Sequence, residues 1–461
     1  MDLTSLTAID LAQLIRTRGA SAREVTQAHL ARIDSLARLN AVVTLDAERA
    51  LARARAADAA LQRGESWGEL HGVPFTLKDM HATSGVRSTC GLKALAHHVP
   101  AADGPVAERL RAAGAILLGK TNMAMNVESE SDLFGRPLNP YALERTAGGS
   151  SGGAAAALAA RLTPLDVGTD LSGSIRMPAH FCGVFGLKPT VHRIPASGLV
   201  GPTSDMPRVD RLFGVCGPLA RSIADLGVAL RLLAGPHPAD PEVPPVPVAM
   251  AAPIEPGQLR IALAPAIPGI PVSRELREAL ERLGRDLESA GARVERPPLP
   301  FAFEELLAAF RRLIRFPIAA MAAHGMAPPG AAALAANPPA ATELLAALAE
   351  RDHIIQRFEA WLADHDAWIC PAAPSAAFPH RPLGEPILVD GESVSSQVID
   401  HPSMLATYAG SPALVVPIGL DGDRLPIAAQ LVGRRWSDEQ LLAVGQAVAS
   451  VVGPLPPPPE P

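Results

Sequence analysis

The sequence predicts an α/β fold with a central, mainly parallel or mixed sheet. Three observations point there. Short apolar runs of strand length alternate with longer helical patterns at both ends of the chain. Apolar residues make up 48% of the 461 positions, which excludes a disordered chain and suffices for a sizeable core. No segment repeats at a fixed period. At roughly 150 residues per domain, the length fits about three domains or one large enzyme fold.

Taken in order, the opening MDLTSLTAIDLAQLIRTRG reads as an amphipathic surface helix. In SAREVTQAHLARIDSLARL, Ser21 and Glu24 make a capping box, and Leu30, Ile33 and Ala37 supply an apolar face. A second helix spans Asp46 to Gln62. GVPFTLKD, Gly72 to Asp79, is a short apolar strand ending in a lysine and an aspartate. A helix begins near Val106, and Ala115 to Leu118 form the next strand. From Ala147 to Pro189, glycine and serine alternate with an alanine helix and short strands, PLDVG among them. Ser222 caps a helix with Ile223, Leu226, Leu230 and Leu233 on one face, and Gly235 ends it. Asp240 to Gly257 is rich in proline and predicts a linker. LRIALAP is a strand, and Ser273 opens a helix striped with Leu276, Leu280, Leu283 and Leu287. Residues 301–362 predict a helical elaboration on the core, interrupted by proline and glycine between Ala327 and Pro339. AWIC, ALVVPIG and IAAQLVG return to strand before a final helix.

Composition and spacing set several functions aside. With 47 acidic and 41 basic side chains the formal net charge is -6, which gives no support for nucleic-acid binding. The N-terminal stretch holds two aspartates and has neither a membrane-length apolar run nor the order of a signal peptide, so the default expectation is a cytoplasmic protein without a membrane partner. Cys90, Cys182, Cys216 and Cys370 form no CxxC pair and read as isolated structural thiols. Thirteen histidines are scattered without HExxH, and the expectation is no metal and no cofactor. Gly114, Gly119, Lys120 and Thr121 satisfy GxxxxGKT, but Ala, Ile, Leu and Leu inside the pattern would form the strand itself rather than an open phosphate loop. Ser150 and Ser151 satisfy GxSxG, yet the preceding NPYALERTA does not read as the buried strand of a nucleophile elbow.

Three segments carry possible chemistry. Ser174 lies in GTDLSGSIRMP, after a short strand. Small residues before a serine let successive peptide N–H groups converge on a substrate carbonyl, where they would stabilise the charge of acyl attack. A tight structural turn is the alternative. Ser150 and Ser151 stand in a glycine-rich loop before the alanine helix, suited to anion binding or to simple capping. Lys78 ends an apolar run. Burial there would lower its proton affinity and make it a base, unless it emerges at the strand end to reach water. His81, close behind Asp79, either lines a site or is structural. Spacing alone does not bring Lys78, Ser150 and Ser174 together.

The block GGSSGGAAAALAARLTPLDVGTDLSGSIRMPAHFCGVFGLKPT closely resembles the signature of the amidase signature family. GVPFTLKD resembles that family's lysine motif. GKTNMAMN, FGRPLNP, GPLARSIADLGVALRLLAGP, GSPALVVPIGL and PIAAQLVGRR resemble further family segments, so the likeness runs from Leu6 to Val452 and is weakest from Pro241 to Ala360. It implies one amidase domain over residues 1–461 with a signature core at about 65–235. It further implies a Ser–cisSer–Lys triad: Ser174 as nucleophile, Ser150 as bridging serine after a cis Gly149–Ser150 peptide, and Lys78 as base. Backbone amides of Leu171, Ser172, Gly173 and Ser174 would form the oxyanion hole, with Gly149, Ser151, Asp170 and Arg176 in support. Met125, Asn126 and His81 are the substrate-side candidates. This chain has Ser172 where the family's commonest string has glycine, and a positive φ there would suit serine poorly.

The resemblance implies a hydrolase acting through an acyl-enzyme on a small-molecule substrate with water, as a monomer or homodimer. The apolar composition of 301–362 favours small apolar or aryl amides. Carbamates and aryl esters, the substrates of a urethanase, fit the same relay. Three more functions stay compatible with the residues. One is an amidotransferase A-type glutaminase that supplies ammonia to partner subunits. Another is a non-catalytic binding protein on this fold. The third is a Ser-His-Asp esterase, in which histidine would be essential and Lys78 dispensable.

Overall fold

An eleven-stranded mixed sheet runs through the computed structural model, which describes residues 1–124, 130–201, 211–323 and 332–459. In chain order the strands begin with β1 (Val42–Leu45), β2 (Pro74–Lys78), β3 (Ile116–Thr121), β4 (Leu138–Asn139) and β5 (Ala142–Thr146). They continue with β6 (Leu165–Asp170), β7 (Phe185–Lys188), β8 (Val215–Ala220), β9 (Arg260–Leu263) and β10 (Arg293–Glu295). The last are β11 (Ala367–Pro371), β12 (Ile387–Val389), β13 (Glu392–Val394), β14 (Ala413–Leu420) and β15 (Pro426–Val432). The main sheet is ordered β1-β3-β2-β6-β8-β7-β14-β15-β11-β9-β10, while β4 with β5 and β12 with β13 form separate ribbons. β3, β2 and β6 are mutually parallel, β9 is parallel to β10 and β11, and the remaining pairs are antiparallel. The expected α/β class with a mixed sheet is what the chain adopts.

Burial on both faces explains the strand composition. Every residue of β2, β3, β8, β11 and β15 is buried, so these strands are apolar runs rather than alternating patterns. The GKT of the phosphate-loop look-alike lies inside β3 and forms no open loop.

The helices follow their caps. α1 (Ala8–Arg16) and α2 (Ala22–Ser35) open on the capping boxes Thr7/Asp10 and Ser21/Glu24. The buried face of α2 carries Val25, His29 and Ile33; Leu30 is only half-buried and Ala37 is exposed, so the stripe is rotated from its expected position. α3 (Ala47–Gln62) and α4 (Pro105–Ala112) lead into α5 (Gly152–Ala159), whose residues are all buried. That is why α5 is apolar all round, almost entirely alanine and glycine. A Cβ on Gly153 would lie 2.5 Å from both the backbone N and O of Asn122, so only glycine permits this approach. α6 (Arg176–Cys182), α7 (Ile223–Leu233) and α8 (Arg274–Ser289) follow, with Ser222 and Ser273 capping the last two as expected. The helical elaboration consists of α9 (Phe303–Ala323), α10 (Ala332–Ala336) and α11 (Ala341–Trp361). α12 (Met404–Ala409) packs on α9 and α11, and α13 (Asp438–Val452) closes the fold.

One expectation needs correction and another holds. The proline-rich stretch after Asp240 is strapped to the body: the Arg193 guanidinium donates to the carbonyls of Val246 and Pro247 at 2.9 Å each, and Val243 is buried. The residues before Ser150 are, as expected, not the buried strand of a nucleophile elbow: β5 is only partly covered and lies in a two-stranded ribbon outside the main sheet.

Candidate active site

Adjacent parallel strands deliver the site. β2 pairs with β6 through Thr76–Asp166 and Leu77–Val167, so Lys78 and Thr169 leave the sheet at the same, C-terminal end. Ligand sites in open α/β sheets gather outside these strand ends. The loop before α5 is brought there by an isolated bridge between Ala124 and Ser150, and the Gly149–Ser150 peptide is cis. Lys78 Nζ donates to Ser150 Oγ at 2.6 Å and to Thr169 Oγ1 at 2.8 Å. The Ser151 amide donates to the Ser174 carbonyl at 3.2 Å, which ties the glycine-rich loop to the turn ahead of α6. Ser151 Oγ reaches back to the Thr169 carbonyl at 3.3 Å. Lys78 and Ser150 therefore meet directly, and Ser174 is fixed one peptide away.

Electrostatics suit Lys78 to proton transfer. The side chain is wholly buried, and loss of hydration brings its pKa down to about 8. The neutral amine is thus accessible near neutral pH, with two hydroxyls for partners.

Asp170 organises the turn that holds Ser174. Its carboxylate accepts from the amides of Gly173 at 2.8 Å and Ile175 at 3.1 Å, and pairs with Arg176 at 2.8 Å. Burial opposes its charge, but the Arg176 guanidinium outweighs that and holds Asp170 at about 2. Arg176 also donates to the Ser403 carbonyl at 2.7 Å, Gln430 Oε1 at 2.8 Å and Thr407 Oγ1 at 2.8 Å. Every contact of this pair is internal, and both side chains are fully buried.

The oxyanion loop differs from expectation in two ways. The Gly173 amide is committed to Asp170, which leaves Leu171, Ser172 and Ser174 as the candidate donors. The left-handed position is Gly173, at φ 111°, while Ser172 is not among the residues of positive φ. Serine at 172 therefore carries no backbone penalty.

His81 follows β2 closely, and its amide donates to the Lys78 carbonyl at 3.0 Å. It is 2% exposed, and its carbonyl accepts from Lys120 Nζ. Burial first, then Lys120 and Lys78, push its imidazole down to about 3, so the ring is neutral near neutral pH. Met125 and Asn126 lie outside the described residues. No group of three His, Cys, Asp or Glu side chains that could hold a metal occurs among the described residues, and the four cysteines are buried and unpaired.

Sequence reasoning missed Thr169, Ser403, Thr407, Gln430 and Met177. Thr169 had a signal, since it precedes Asp170 at the end of the same strand. Met177 Cε would be 2.9 Å, and Ser403 Oγ 2.7 Å, from a Cβ placed on Gly173. The 403–430 residues come from more than 220 positions away, and nothing local marks them.

Comparison with known proteins places this arrangement. The profile of the family described as Amidase matches residues 24–442. The chain is 34% identical over 495 positions to the A subunit of the glutamyl-tRNA(Gln) amidotransferase of Moorella thermoacetica, covering 97% of this chain and 96% of that one. Among solved structures, a chain of an inhibitor-bound vestigial protein complex, described as revealing the evolutionary origins of an s-triazine catabolic enzyme, superposes with a TM-score of 0.85 at 28% identity, over 98% of this chain and 100% of the other. A bacterial aryl acylamidase of the amidase signature enzymes superposes with a TM-score of 0.83 at 25% identity, over 97% and 96%.

Proposed function

The chain belongs to the amidase signature family, whose serine hydrolases act on amide and carbamate C–N bonds, and on that premise we propose that Lys78, Ser150 and Ser174 are its catalytic triad. The observation that carries this reading is the buried Lys78 Nζ held 2.6 Å from Ser150 Oγ with its pKa lowered to about 8.

Neutral Lys78 takes the Ser150 proton while Ser150 takes that of Ser174. Ser174 Oγ attacks the substrate carbonyl, and the amides of Leu171, Ser172 and Ser174 hold the oxyanion. The proton returns through Ser150 to the leaving nitrogen. Water then attacks the acyl-enzyme by the same relay. Asp170 and Arg176 keep the turn rigid and take no part in proton transfer.

For the substrate we propose a primary amide whose nitrogen leaves as ammonia, with glutamine the first candidate. Support comes from the near full-length similarity to amidotransferase A subunits, where the present chain covers 96% of the relative. A second reading has its own observation. Met177, Phe181 and Phe378 belong to an apolar cluster, and Met177 reaches the oxyanion loop at Gly173. That buried apolar packing against the loop is what supports small aryl amides or carbamates.

One panel separates these readings: glutamine, a primary aliphatic amide, an aryl anilide and an N-alkyl aryl carbamate, each with the wild-type protein and Ser174→Ala. Ammonia release from glutamine or the aliphatic amide, lost in the variant, supports the first. Turnover confined to anilide or carbamate moves the assignment to the second. Activity surviving in Ser174→Ala overturns both.

A further inference from the structure

The lysine's second partner is part of a longer chain of hydrogen bonds. Lys78 Nζ donates to Thr169 Oγ1 at 2.8 Å, and Thr169 Oγ1 donates in turn to the Met80 thioether Sδ at 3.1 Å. Met80 follows β2 by two residues and is half-buried. The Thr169 carbonyl is engaged separately by Ser151 Oγ at 3.3 Å. The hydroxyl therefore lies between one amine and one sulfur.

A threonine hydroxyl has one proton and two lone pairs, and a thioether sulfur can only accept. A neutral lysine has a single lone pair, which must face Ser150 for the relay to run. An unengaged Thr169 hydroxyl would turn its proton onto that lone pair and compete with Ser150. We propose that Met80 is a positioning residue: its sulfur takes the Thr169 proton, so that Thr169 can only accept from Lys78 and the lysine lone pair stays aimed at Ser150. The inference rests on the reading of Lys78 as base and Ser174 as nucleophile. It adds a determinant that touches no reacting atom.

The direction of the effect follows. Without the sulfur, Thr169 donates to neutral Lys78. That stabilises the neutral amine, moves its titration to lower pH and blocks part of the lone-pair population. The rate at saturating pH falls. A packing role for Met80 would lower the rate without moving the titration and without regard to Thr169.

A probe independent of the natural substrate reads this out. An alkyl fluorophosphonate phosphonylates the nucleophile: the Ser174 Oγ–P bond forms, fluoride leaves, and the proton passes through Ser150 to Lys78. Its rate is measured across pH for wild type, Met80→Leu, Thr169→Val and the double variant. Met80→Leu is expected to slow the high-pH plateau about three- to tenfold, the span of one lost hydrogen bond, and to shift the rising limb to lower pH. In the Thr169→Val background the same change should alter the rate by less than about twofold, as two residues acting through one path require. Thr169→Ser, which keeps the hydroxyl, should restore the full Met80→Leu effect, and Met80→Gln, which offers an amide oxygen, should behave nearly as wild type. Equal slowing with and without the Thr169 hydroxyl, or an unmoved limb, overturns the role of Met80. Phosphonylation that persists in Ser174→Ala instead overturns the triad reading beneath it.

Discussion

Removing the base should remove a defined part of the pH profile. Burial holds Lys78 near a pKa of about 8, so about a tenth of the molecules carry the neutral amine at pH 7, about one per cent at pH 6 and about nine-tenths at pH 9. If acylation requires that form, kcat/KM rises nearly tenfold per pH unit below 8 and levels above it, about 90-fold between pH 6 and pH 9. Lys78→Ala should lower the plateau by about 10² to 10⁴, the usual range for a general base, and abolish the limb. The assay is steady-state hydrolysis of whichever member of the substrate panel turns over, followed from about pH 5.5 to about 9.5 at constant ionic strength. A limb centred near about 6.5, the ordinary imidazole range, that survives Lys78→Ala would refute the reasoning and direct attention to a histidine.

Three further outcomes are expected. Asp170→Asn leaves the Arg176 guanidinium buried without its counter-charge, which should cost about 3–5 kcal/mol in urea unfolding and suppress activity through the disordered turn. Gly173→Ala places a Cβ 2.7 Å from Ser403 Oγ at a φ of 111°, and kcat should fall on the order of 10² as the neighbouring amides are displaced. His81→Gln should leave the position of the pH limb unchanged, because the imidazole is already neutral; a shifted limb would place His81 in the proton path.

The legibility of this chain in its sequence follows the range of the interactions. Capping residues and leucine stripes are local, so the starts of α2, α7 and α8 could be placed within a residue or two, whereas the opening helix, read over the first nineteen residues, spans only Ala8–Arg16. Buried apolar runs showed β2, β3, β6, β14 and β15. β1, β7 and β8 were harder, because their identity as strands depends on partners far along the chain; Phe185 of β7, for instance, pairs with Ala220 of β8. The face of α2 was misread because His29, fully buried and bonded to the Val25 carbonyl at 2.9 Å, looks polar in sequence yet packs inward. In the site, the family likeness supplied Lys78, Ser150 and Ser174, while local chemistry alone left each with an ordinary structural alternative. The committed Gly173 amide could not be read at all, since it depends on where the Asp170 carboxylate turns.

Two buried lysines at neighbouring strand ends show why burial by itself does not make a base. Lys120 leaves β3 beside Lys78 on β2, is equally hidden from water, and is pushed lower still, to about 7, chiefly by loss of hydration. Proton affinity alone would select Lys120. Their partners differ. Lys120 donates to the His81 carbonyl and to Thr83 Oγ1, the latter at 2.8 Å, and a carbonyl has no proton to give. Lys78 faces two hydroxyls, one of which belongs to the loop tied to Ser174. A relay needs a partner hydroxyl that can pass its proton to the amine and a nucleophile beyond it to replace that proton; Thr83 Oγ1 donates to the His81 carbonyl, whereas Ser150 stands in the loop tied to Ser174. Lys120 instead pins the His81–Thr83 turn behind the site. On this argument Lys120→Met should loosen the turn and lower stability while leaving the pH limb of any remaining activity where Lys78 sets it.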